Sequence, residues 1–97
     1  MPAIEAEDFI QFVRTLEGKE LRTKAGRATF TAVALGSRID VTPLSTGIPR
    51  SISRRNVEQV LARYNTTGEE ACTGYRALTA NSTYLLTLIW EYERARR

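Results

Sequence analysis

The chain has 97 residues, 42% of them hydrophobic and 26% charged, which is enough for one buried core and too few for two ordinary domains; a single compact domain over residues 1–97 is expected. With a net charge of +3, no histidine and one cysteine, Cys72, it cannot build Cys/His zinc sites, imidazole-dependent triads or an internal disulfide, so no metal, no cofactor and no catalytic constellation are expected. No apolar run approaches the roughly 18 residues of a membrane span, and the acidic start lacks the apolar region of a signal peptide, so a soluble, cytoplasmic protein without a membrane partner is expected.

Phe9, Phe12, Val13 and Leu16 repeat at helical spacing and predict a first helix over about Ile4 to Leu16. Gly18 stands where a C-terminal cap belongs, and Glu5, Glu7 and Asp8 lie near the start, where the helix dipole favours acids. From Lys19 to Leu44 the period changes. Leu21 and Thr23 alternate with charged neighbours, Thr29 to Leu35 is rich in strand-favouring residues, and Arg38 to Thr42 alternates polar and apolar. Gly36-Ser37 fits a two-residue hairpin turn, so these segments predict a three-stranded antiparallel meander. Pro43 to Ile52 reads as a loop, hydroxyl-rich and basic.

Val57, Val60, Leu61 and Tyr64 form one apolar stripe and predict a second helix from about Arg54 to Tyr64. Ser53 is the expected cap, with Ser51 as the competitor, and Pro49 holds its predecessor out of helical geometry. Asn65-Thr66-Thr67-Gly68 is expected to break the helix. Glu69 to Ala80 reads as loop with one helical turn or two. Asn81 or Ser82 should cap a last helix reaching about Arg96, in which Leu85, Leu88, Ile89 and Tyr92 share a face and Tyr84, Leu86 and Trp90 widen it. The expected architecture is therefore α+β: an N-terminal helix, a three-stranded antiparallel meander, and two or three helices packed on one sheet face. This element order resembles that of small accessory domains in bacterial defence and mobile-element proteins, and no motif carries a residue's role over.

Charge is divided unevenly. Residues 1–20 carry two basic and five acidic side chains, residues 21–64 carry eight basic and two acidic, and the rest balance. Arg54 and Arg55 stand in the first turn of the second helix, where the dipole disfavours cations. A bound anion would offset that cost by meeting the exposed N–H groups, Ser51, Ser53 and the arginines together; the simpler reading is that two solvated arginines tolerate the position. The candidate nucleic-acid contacts are accordingly Lys24, Arg27, Arg50, Ser51, Ser53, Arg54 and Arg55 to phosphates, with Ser45 and Thr46 beside them and Gln59 and Asn56 in reach of a groove edge. The expected function is a small non-enzymatic module that binds DNA or RNA. The alternative is a protein-interaction or regulatory module, homodimeric through the broad face of the last helix.

Overall fold

The computed structural model describes residues 3–23, 28–68, 72–75, 78, 79 and 81–96. Helix α1 spans Ala6–Arg14 and buries Phe9, Ile10 and Val13, with Glu7 and Asp8 in its first turn. It is shorter at both ends than its apolar spacing predicts. At the start, Ile4 is held by Asn65, which accepts from its N–H at 2.9 Å and donates to its carbonyl at 3.0 Å. At the end, Thr15 Oγ1 donates to Phe12 O at 2.6 Å and Gly18 takes a left-handed φ of 84°, the freedom for which glycine is used at a helix exit.

The sheet holds four strands, not three: β1 Leu21–Arg22, β2 Thr29–Leu35, β3 Arg38–Pro43 and β4 Arg50–Ile52, in the order β1-β2-β3-β4. All pair antiparallel, with Leu21 opposite Phe30, Ala32 opposite Val41 and Ile39 opposite Ile52. The stretch expected to be loop from Pro43 to Ile52 thus ends in an edge strand. Three residues with one apolar member are too short to show a period, and pairing with β3 supplies what local preference does not.

Phe30, Ala32, Ile39, Val41 and Ile52 are fully buried, while the intervening Thr31, Val33, Asp40 and Thr42 stay partly exposed. Helix α1 packs against β2 and β3. Helix α2, Arg54–Thr67, buries Val57, Val60 and Leu61 and meets β3 and α1. It runs beyond the expected break at Asn65 because each polar residue there has a helix-compatible partner. Thr66 and Thr67 donate to the carbonyls of Ala62 and Arg63, each at 2.9 Å, and Asn65 reaches Ile4. Gly68, at φ 68°, closes the helix by donating its N–H to Tyr64 O at 2.8 Å.

A 3-10 turn, Cys72–Tyr75, leads to helix α3, Ser82–Ala95. Asn81 occupies the cap position of α3 but makes no side-chain capping bond. The broad apolar face of α3 is taken up inside the chain: Leu85, Leu86, Leu88 and Ile89 are buried, Tyr84 meets Phe30 edge-on at 5.0 Å, and Tyr92 meets Phe12 at 5.4 Å. One apolar cluster draws on all four strands, the three helices and Tyr75 of the 3-10 turn.

Asn65→Ala is expected to lower stability by about 1–3 kcal/mol, because it orphans both main-chain groups of the buried Ile4. A shift in the urea midpoint with an unchanged slope would show this, and an unshifted midpoint would mean water replaces the clamp without loss.

Candidate nucleic-acid interface

Between β3 and β4 the chain makes a held turn. Gly47, at φ 66°, donates its N–H to Pro43 O at 2.8 Å, and Ile48 donates its N–H to Thr46 Oγ1 at 3.2 Å. Leu44 ties the loop to the sheet by donating to Thr29 O at 2.9 Å. Every residue from Leu44 to Ser51 is exposed, so Ser45, Thr46, Arg50 and Ser51 all reach solvent.

Arg50 stands opposite Val41 in the ladder, which directs it to the helix side of the sheet edge, and its guanidinium carbon lies 6.0 Å from the Tyr84 ring centroid. That is the outer limit of a cation–π contact, so the charge remains available. Ser51 faces the other way, opposite Asp40. Arg38 Nε lies 3.3 Å from Asp40 Oδ1, but off the hydrogen-bond axis, and that buried oxygen has no hydrogen-bond donor.

Ser53 caps α2 as expected, its Oγ accepting from Asn56 N at 3.2 Å. The two arginines that follow diverge. Arg54 reaches Glu7 of α1 at 3.0 Å and Glu58 one turn on at 3.2 Å. The hydrogen bonds to Glu7 and then Glu58 hold its guanidinium further above its ordinary pKa. Arg55 is exposed and has no carboxylate partner among the described residues. Gln59, four residues on, lies on the same outward ridge and is half-buried.

Three further arginines are engaged with acids, Arg38 with Asp40, Arg94 with Glu91 at 3.6 Å and Arg96 with Glu93 at 3.4 Å, whereas Arg14 donates to the carbonyl of Gly36 and Arg63 lies over Tyr75. Lys24 and Arg27 lie outside the described residues. Their flanking residues Thr23 and Ala28 are joined by a 2.8 Å hydrogen bond, at the end of the sheet opposite the start of α2. The ladder separates Thr29 from the Ala34–Ile39–Ile52 level by on the order of 17 Å at ~3.3 Å per residue. The register therefore places the β3–β4 loop at the same end of the sheet as Thr23 and Ala28, with Ser53 and Arg55 beyond Ile52 at the other end and Arg50 between them at the level of Val41, while Arg54 ties α1 to α2.

Elsewhere, an open cleft of about 300 Å³ lies between the C-terminal ends of α1 and α3, with Phe12 and Leu16 beside Lys19, Arg94 and Glu91. No group of three or more metal-ligating side chains occurs among the described residues, and no helix there is long and apolar enough to cross a membrane. No family model, no curated protein and no solved structure matches the chain.

Proposed function

We propose that this chain is a non-enzymatic nucleic-acid-binding module that holds the phosphate backbone of a duplex along the β3–β4 loop, the β4 edge and the outward ridge of α2. In this reading the helices cover one sheet face and leave the β4 edge to the ligand. The observation that carries it is the unbroken exposed run from Leu44 to Ser51, continued by Ser53 and Arg55. Along it Arg50 and Arg55 have no carboxylate partner among the described residues, whereas Arg38, Arg54, Arg94 and Arg96 do. Unpaired guanidinium groups among hydroxyls suit phosphate oxygens, which Arg and Ser/Thr contact without reading sequence. Arg54 supports the site by fixing α2 against α1, Gln59 is the candidate for a base edge, and Lys24 and Arg27 belong to the proposal by sequence.

The competing reading, a protein or homodimer interface on α3, has less to stand on. Leu86 is 6% exposed, and Trp90 is half-buried with the Arg94 guanidinium 4.6 Å from its ring.

The test is duplex binding by fluorescence anisotropy across a salt series. The logarithm of the binding constant should fall with log salt at a slope of about −0.9 per phosphate contacted. Arg55→Gln should reduce that slope by about 1, and Arg54→Gln should act mainly on the melting temperature. Absence of binding at protein concentrations up to about 10⁻⁴ M, the weak end of ordinary non-specific affinity, would overturn the proposal.

A further inference from the structure

Among the described residues the exposed large apolar side chains are Leu35 at 45%, Leu44 at 49% and Ile48 at 66%. Leu35 ends β2 beside the tight hairpin turn. Leu44 and Ile48 belong instead to the β3–β4 loop, among the hydroxyls and next to Arg50. A lone exposed isoleucine is ordinary, but this one is presented by a held backbone. Gly47 and Ile48 both spend their N–H groups inside the turn, and Pro49 fixes the next φ. Less ordering remains for a ligand to impose.

Resting on the reading of the loop as a duplex-binding surface, we infer that Ile48 is a wedge. Its side chain enters between two base pairs from the minor groove, while Arg50, two residues on, holds a phosphate of the flanking backbone. Minor-groove binders combine cations with inserted Ile, Leu, Met or Pro side chains, and the unstacked step kinks the duplex. Pyrimidine–purine steps open with least resistance and are the favoured entry point. A protein partner fits the loop less well, because the residues between Leu44 and Ile48 are Ser45, Thr46 and Gly47, and the centre of a protein interface is a contiguous, dry apolar patch.

The experiment uses the full chain and a duplex of about 20–30 base pairs with donor and acceptor dyes at its ends and 2-aminopurine at a central TA step. The parent protein should shorten the end-to-end distance by a kink in the range of about 20–90° and brighten the 2-aminopurine. Ile48→Ser, at an exposed position that leaves the melting temperature unchanged, should keep the salt slope of the parent and lose both signals. Arg55→Gln should weaken binding yet kink the duplex at saturation. Binding by the parent without kink or brightening, or both signals surviving in Ile48→Ser, rejects the wedge and leaves phosphate binding intact. Failure of the parent to bind any duplex rejects both. Self-association of the parent that Ile48→Ser abolishes, without a kinked duplex, assigns the loop to a second copy of the chain and overturns the wedge.

Discussion

Exchanging both Arg50 and Arg55 for glutamate is expected to weaken duplex binding by more than about 100-fold at physiological salt while the protein melts within a degree or two of the parent. Two phosphate contacts disappear, and two anions take their place within a screening length of about 8 Å from the backbone they meet. The fold has little reason to respond. Both side chains are exposed, and substitutions at such positions ordinarily move stability by no more than about 0.5 kcal/mol. For Arg55 the sign even reverses: a glutamate in the first turn of α2 sits where the helix dipole favours a negative charge, so Arg55→Glu alone should hold or raise the melting temperature while it lowers affinity. Arg54→Glu is the contrasting change. It sets a third carboxylate beside Glu7 and Glu58, which now receive the guanidinium at 3.0 and 3.2 Å, and stability should fall. Anisotropy titrations paired with thermal melts measure both quantities. Equal affinity in the parent and the Arg50/Arg55 double variant would remove these arginines from any contact with nucleic acid.

Arg54 and Arg55 also show where sequence reasoning stops. Adjacent in the chain and identical in chemistry, they read as one basic site, yet successive helical residues point about 100° apart. One turns towards α1 and the other to solvent. The partner that decides Arg54's role, Glu7, lies 47 residues away, and no local pattern announces it. The elements with a sustained period were legible: the core of α1 through Phe9 and Val13, the hairpin closed at Gly36, the stripe of α2 and its Ser53 cap. Strand β4 was not, since Ile52 alone cannot set a register and its alternation exists only against Ile39 and Asp40 of β3. Asn65 failed as a break for the same kind of reason. Its low helix preference is worth well under about 1 kcal/mol, and two hydrogen bonds to Ile4 outweigh it. The wide apolar face of α3 was seen correctly as wide, but only packing shows that Leu86 points inward.

Tyr75→Ala should be the most damaging single substitution outside the helices and strands, costing about 3–5 kcal/mol. The residue ends a four-residue 3-10 turn in a stretch with no sustained period, yet its side chain is 0% exposed and among the largest fully buried ones. Its carbonyl accepts from Leu78 N at 2.9 Å and Thr79 N at 3.1 Å, and the Arg63 guanidinium lies 5.8 Å from its ring. The ring therefore anchors the connection between α2 and α3 from the core side, while the carbonyl shapes the approach to α3 from the chain side. Truncation leaves a cavity in the core, and α3 shares that region through its contacts with the turn. Against a total stability of about 5–15 kcal/mol for a domain, and with about 4–8 °C lost per kcal/mol at this size, the melting temperature should fall by at least about 12 °C. Tyr75→Phe keeps the buried ring and should cost only about 1 kcal/mol, the usual scale of one side-chain hydrogen bond. Hydrogen exchange should show the same ordering, with α3 amides in the alanine variant opening well before those of β2 and β3. An alanine variant melting within about 3 °C of the parent, less than 1 kcal/mol at this size, would mean that the turn merely covers the core and that α3 is held by its packing on the other helices and on Phe30 of the sheet.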